Sequence, residues 1–303
     1  PTGASGRAGD QPLTLALDLP SPLDPARTSV EVQLAPGILT SVMGALPYLI
    51  DYPYGCVEQT MSRFLPAVVA RSWLRELGSD ATVIDQVIRA APRPTVSKTS
   101  EPPPTLEAVV QKSLSMLAAA ADAGGGFAWW PGGEPDDFMS SYVLRGLSAA
   151  RRAGVSLPDN LESKTLKFVL SALPGKRWQG EDSLDAVWLL SAALGTGLLK
   201  DEGLLRAKEA YERIHPLSDQ LPPVGIALLL QCAHHLARST DIPSLVKNLE
   251  SSVQRHSSGS LGETATWGTV DGYAPHLSGL IESTALCLEA LLLVDPRHPL
   301  IDP

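Results

Sequence analysis

The chain has 303 residues, 44% of them hydrophobic and 19% charged, and 24 Lys+Arg against 33 Asp+Glu leave a net charge of −9. That is a globular composition, long enough for one large domain with an appendage. An acidic balance without basic blocks argues against a nucleic-acid partner, and no apolar run approaches the roughly 20 residues that cross a bilayer.

Residues 1–11 contain no apolar stretch and read as a linker or tail. Residues 12–19 and 29–35 alternate apolar with polar side chains around a Pro-rich turn, which predicts two strands. Two strands alone do not make a stable sheet, so residues 12–36 are expected to be a fragment of a β domain. Beyond Pro36 the period becomes helical and stays so. Helices are expected at roughly 38–50, 56–77, 81–91, 105–122, 137–153, 159–173, 182–197, 201–214, 222–238, 242–255 and 278–293. Asp137, Asp159, Asp182 and Asp241 are candidate N-caps, and Gly78, Gly154 and Pro174 candidate stops. Similar helices in up-and-down succession, with no repeat of fixed period, predict an all-α domain over 37–303: an α/α toroid of about twelve helices behind a short N-terminal β segment.

Two loops interrupt this pattern. GGGFAWWPGG at 124–133 gathers glycines around Phe127, Trp129 and Trp130, and residues 261–273 place Trp267 in a polar stretch. The paired tryptophans either plug the end of the helical barrel or wall a site. Cys232 and Cys287 lie in apolar helical contexts, where a buried inert thiol is the default and a bridge between them stays open.

Cys56 is different. In the run Asp51-Tyr52-Pro53-Tyr54-Gly55-Cys56-Val57-Glu58-Gln59-Thr60, Pro53 and Gly55 make a turn and Cys56 falls in the first turn of the next helix. Unpaired backbone N–H groups and the helix dipole favour negative charge there, on sulfur or on an acyl oxygen. Gln59 follows at i+3, on the same face. The sulfur can therefore attack the carboxamide carbon, expel ammonia and close an internal thioester ring of about 15 atoms. Such a bond survives only if water is excluded, and Tyr52, Tyr54, Met61 and Phe64 are candidate shields.

Cys-x-x-Gln alone is a weak signal, but the longer string YPYGCVEQTMSRFLP closely resembles the thioester region of the α2-macroglobulin and complement family, and its YPYGC form resembles the bacterial branch. GGFAWWPGG with the helix beginning SSYVLRGL, and WGTVDGY with IESTALCLEALLLVDP, extend the resemblance over nearly all of residues 37–296. It implies a thioester-containing α/α toroid preceded by strands of a CUB-like domain. It makes Cys56 the thiol and Gln59 the acyl donor, with Glu58 the acidic residue between them. Tyr52 matches the tyrosine that covers the site, with Tyr54 its alternative, and Trp129 and Trp130 stand among the shielding residues. The implied function is a broad-spectrum protease trap: bait cleavage elsewhere in the parent chain exposes the thioester, which acylates a lysine of the attacking protease in a single turnover. The other domains of the parent chain are then partners, no cofactor is required, and the location is the periplasm, the cell envelope or outside the cell. Cover comes partly from a neighbouring domain, which implies a more exposed Cys56 in this chain.

One departure bears on the acceptor. Complement members that esterify hydroxyls use a downstream histidine, whereas the matching loop here, GKRWQGED around Trp178, has none; the six histidines begin only at His215. Direct attack by amines is therefore expected. His234-His235 beside Cys232 suggest zinc, but consecutive side chains on a helix diverge by about 100° and no acidic residue sits at i+3 or i+4, so no metal is expected. Asp136-Asp137 and Asp182-x-x-Asp185 keep open a toroid enzyme acting through carboxylates, though Asp137 and Asp182 read first as caps. Complement-like surface tagging stays open too, as does a binding module in which Cys-x-x-Gln is inert.

Overall fold

The computed structural model describes residues 55–76, 78, 82, 85–86, 104–173, 181–258, 262–268 and 279–301. The expected strands at 12–19 and 29–35, the helix at 38–50, and Tyr52 and Tyr54 lie outside the described residues. Among the described residues nine α-helices account for most of the fold: α1 (Val57–Glu76), α2 (Leu106–Ala120), α3 (Asp137–Arg152), α4 (Leu161–Ala172), α5 (Glu181–Gly195), α6 (Asp201–Ile214), α7 (Pro223–His235), α8 (Ile242–Ser252) and α9 (Leu280–Val294).

The helices form an α/α toroid in which α1, α3, α5, α7 and α9 pack successively as an inner layer. Outside it, α2 lies on α1, α4 on α3, α6 on α5 and α8 on α7. Neighbouring inner helices run the same way. Phe138 meets Trp188 near the start of α3, Arg145 meets Ser191 further along, and Arg152 reaches the Gly195 carbonyl at the far end. The α5 side chains that face this layer, Leu184, Val187, Leu190, Ala193 and Leu194, are nearly fully buried. A helix apolar on most of its surface belongs inside.

Two apolar cores fill the layers. The first joins α1, α2 and α3 through Val57, Met61, Phe64, Val110, Leu117, Val143 and Leu147; the second joins α4 through α9. Leu144, on α3, points into the second, so this helix serves both, as does α4, whose Leu161 lies in the first and whose Leu166 and Val169 lie in the second.

Two local expectations are corrected. The helix expected at 242–255 stops at Ser252, and strands β1 (Gln254–Ser258) and β2 (Gly262–Thr266) pair antiparallel, Gln254 opposite Thr266 and Ser258 opposite Gly262. QRHSS offers a helix no apolar face to bury, whereas Trp267 just past β2 pins the hairpin from inside. Its ring is fully buried, its Nε1 donates to the Leu249 carbonyl at 2.9 Å, and its backbone N–H donates to Thr284 Oγ1 at 3.1 Å. The cap readings are also displaced. Asp136, not Asp137, caps α3, its Oδ1 accepting from Met139 N at 2.8 Å. The N-cap of α4 is Asn160 rather than Asp159, in the left-handed conformation that Asn tolerates. Asp182 lies within α5, which begins at Glu181. Asp241 does stand at the N-cap of α8, but its carboxylate accepts from the Tyr211 hydroxyl at 2.9 Å and not from the helix.

Candidate functional site

Cys56 directly precedes α1. Its carbonyl accepts the first helical bond, from Thr60 N at 3.0 Å, so it is the N-cap residue and not a member of the first turn. Its side chain accepts a bond as an N-cap side chain does: Sγ lies 3.4 Å from the backbone nitrogen of Gln59, the third helical N–H. The chain thus seats the sulfur over the residue whose carboxamide is the candidate acyl group. Gln59 Oε1 is buried without a hydrogen-bond partner among the described residues, a state that costs a neutral acceptor on the order of 1–3 kcal/mol. Cys56 is only 7% exposed.

The tryptophan loop, residues 121–136, meets the start of α1. Val57 N, the first donor of α1, points at the Trp129 carbonyl at 3.0 Å. The loop is held by polar contacts at its base. Asp122 Oδ1 accepts from Gly126 N at 2.6 Å, and Ser140 Oγ accepts from Phe127 N at 2.8 Å. Asp136 N donates to the Phe127 carbonyl at 2.8 Å, and the Phe127 ring is fully buried. Of the paired tryptophans, Trp129 is packed and Trp130 stands out, 63% exposed. Met61 is completely buried against Gly146 of α3, in the core behind the site.

From Trp129 an aromatic series runs across the inner layer. Its ring stacks on Phe138 at 6.2 Å between centroids, and Phe138 stacks on Trp188 at 5.2 Å and on Tyr142 at 6.5 Å. Arg145 lies 5.0 Å over the Trp188 ring. Its guanidinium also donates to Ser191 Oγ at 3.2 Å, to Gln231 Oε1 at 3.4 Å and to Glu289 Oε2 at 3.0 Å. Glu58, half-buried, accepts at Oε1 from the Ser62 hydroxyl at 2.7 Å. Burial, and next to it the charge of Glu58, pushes the Tyr142 phenol above its usual range, with the neighbouring Ser62 hydroxyl acting the other way. A cleft of about 210 Å³ opens beside Cys56, lined by Gly55, Val57, Thr60, Met116, Leu117, Ala119, Ala120 and Pro131.

The structure thus brings together Cys56, Gln59, Glu58, Met61 and Trp129. Phe138, Tyr142, Trp188 and Arg145 were not singled out from the sequence. Phe138 and Tyr142 carry a signal, the i,i+4 spacing on α3, but nothing local joins them to Trp188. Cys232 and Cys287 are buried free thiols, and burial pushes Cys287 up to about 12. Among the described residues no three His, Cys, Asp or Glu side chains are grouped to hold a metal ion, and no helix is long and apolar enough to cross a membrane.

A sequence model of the A-macroglobulin TED domain matches residues 29–175. The α2-macroglobulin of Thermotoga maritima is 33% identical over 141 residues, 46% of this chain and 8% of that protein. Among solved structures, native Escherichia coli α2-macroglobulin superposes with a TM-score of 0.56 at 16% identity, over 82% of this chain and 14% of that one. Salmonella α2-macroglobulin reacted with methylamine does so at 0.54 and 18%, over 82% and 15%. The chain therefore spans a small part of the length of these relatives. The chain is thus similar to the A-macroglobulin TED domain over residues 29–175 and shares its toroid with the bacterial α2-macroglobulins.

Proposed function

We propose that Cys56 and Gln59 form an internal thioester that stores an acyl group for covalent capture of a protease. The observation that carries this is the pairing at the start of α1: Sγ on the Gln59 N–H at 3.4 Å, beside a buried carboxamide oxygen with no partner among the described residues. Sulfur attacks the Gln59 side-chain carbonyl carbon, the C–S bond forms, the C–N bond breaks and ammonia leaves. A thioester oxygen is a weaker acceptor than an amide oxygen, so the same burial costs less after closure. On release, the amine nitrogen of a lysine bonds to that carbon, the C–S bond breaks, and the amine proton passes to sulfur. Cys56 ends as a thiol and Gln59 as a substituted amide, in a single turnover. With no histidine in the loop around Trp178, amines should be acylated well ahead of hydroxyls.

Residues 12–36 fit this reading as part of a preceding β domain and 37–303 as the toroid. A protease trap of this kind would work in the periplasm or outside the cell, with the other domains of the parent chain as partners. Intact-mass measurement tests the chemistry. The protein kept free of amines should be about 17 Da lighter than its sequence. Cys56→Ala and Gln59→Ala should abolish the deficit, and labelled methylamine should add at residue 59. A wild-type mass equal to the sequence mass overturns the proposal.

A further inference from the structure

The GGGFAWWPGG loop meets the candidate thioester through a main-chain bond, and a bond of that kind determines where a helix begins. The first N–H groups of a helix have no internal partner, and the first turn frays unless they find one. In α1 two of them are taken: Val57 N by the Trp129 carbonyl, and Gln59 N by Cys56 Sγ. The two are coupled. Fixing the first donor fixes the plane of the Cys56–Val57 peptide, and with it the direction in which the cysteine side chain leaves the cap.

The acceptor is itself held from a distance. Trp129 stacks on Phe138 with planes 11° apart, Phe138 on Trp188 at 17°, and Trp188 lies under Arg145, whose guanidinium is tied to Gln231 of α7 and Glu289 of α9. A cation over an aromatic face adds attraction to that stack. The carbonyl opposite Val57 is therefore referenced to four inner helices.

We infer that Trp129 is a positioning residue for acyl transfer. Its carbonyl, set by the Trp129–Phe138–Trp188 stack, clamps the first donor of α1 and holds the Cys56 sulfur over Gln59. This rests on the proposed thioester and adds to it a part for the tryptophan loop. Reacting atoms must be held within about 3–3.5 Å for such a ring to close efficiently. A sulfur free to swing through other cap rotamers would close the ring rarely and leave it open to water.

Val57→Pro tests the clamp. Proline is favoured at the first helical position and demands an extended conformation of the residue before it, which an N-cap has already. The substitution therefore keeps α1 while deleting the N–H that Trp129 accepts. Val57→Thr keeps both the N–H and the branched shape and is the control. Phe138→Leu, which removes the stack but not the apolar filling, guards against a Val57→Pro chain that fails to fold.

With urea midpoints reporting folding, the fraction of chain lighter by about 17 Da should fall at least tenfold in Val57→Pro and several-fold in Phe138→Leu, and stay at the wild-type level in Val57→Thr. Iodoacetamide reads the same contact with no thioester present: Cys56 of the ring-opened chain should be alkylated about tenfold faster in Val57→Pro than in Val57→Thr. A folded Val57→Pro chain with the wild-type light fraction, or with unchanged alkylation of the open form, overturns the inference. A wild-type chain without the deficit overturns the thioester reading instead, and the alkylation comparison still decides the clamp.

Discussion

Gly125 and Gly132 sit on the same loop, both in the left-handed region, at φ +90° and +81°. They differ in what a methyl group would meet. At Gly125 a Cβ would lie 2.5 Å from the Lys164 carbonyl carbon and 2.7 Å from its oxygen, which are backbone atoms of α4; at Gly132 no atom of the described residues lies within 4 Å. Alanine at either position costs roughly 1–2 kcal/mol in backbone strain, offset by about 0.4–1 kcal/mol from a stiffer unfolded chain. Gly132→Ala should therefore cost between about 0 and 1.6 kcal/mol. Gly125→Ala should add the overpacking term, about 1–3 kcal/mol more, because a helix backbone does not yield as a flexible side chain would. The assay is urea denaturation, with the difference taken from midpoints at unchanged slope. If the two variants differ by less than about 0.5 kcal/mol, the loop does not approach α4 as described, and its role in fixing Trp129 loses its footing.

Glu162 is 7% exposed and accepts from Ser148 Oγ and from Arg151 Nε, each at 2.8 Å; Arg151 is itself partly in solvent, so Glu162→Ala should cost about 1–3 kcal/mol by urea denaturation. His235, its side chain partly in solvent, is held below its usual range, first by the desolvation of the part that is covered and then by His234 and Arg152. A base whose pKa is depressed on folding binds fewer protons in the native state. Its contribution is therefore intact above the unfolded value of about 6.5 and is lost as pH falls through the folded pKa. Stability should decline with acid over that range, and His235→Gln should flatten the decline in a series of melts. Cys232 and Cys287 should resist Ellman's reagent in the native protein, since burial raises both thiols, and should react together once urea unfolds the second core. Reaction of either under native conditions would show that this core admits reagent.

Most of the helical frame was legible because its signals are local. Apolar positions recur at helical period, and α3, α7 and α9 fall within about three residues of their expected limits. The β-hairpin was not legible: residues 254–258 are polar throughout, and what makes them a strand is pairing with 262–266 and the anchoring of Trp267 on Leu249. The caps slipped by one residue at α3 and α4 because neighbouring polar residues compete, and only backbone geometry separates Asp136 from Asp137 or Asn160 from Asp159. At the site, Cys56 and Gln59 could be read from spacing. The aromatic series could not, since Trp129, Phe138 and Trp188 meet across some 50 residues of chain, and no periodicity encodes which ring lies on which.

The division of the interior into two cores that share α3 has a kinetic consequence. The candidate acyl pair, Cys56 and Gln59, sits beside the first, whose members run from Val57 to Leu161, and that half meets the other along α3, through Leu144, the aromatic series and the polar contacts of Arg145, Ser148, Arg151 and Arg152. Proteins open in parts as well as as wholes, and the smaller unit opens more often. Water needs only the smaller unit to part in order to reach a stored thioester. Its shelf life would then follow the opening free energy of the α1–α2–α3 unit, and the melting point of the whole chain would say little about it. A substitution that strengthens α7 against α9 could raise the latter by several degrees and leave the former where it was.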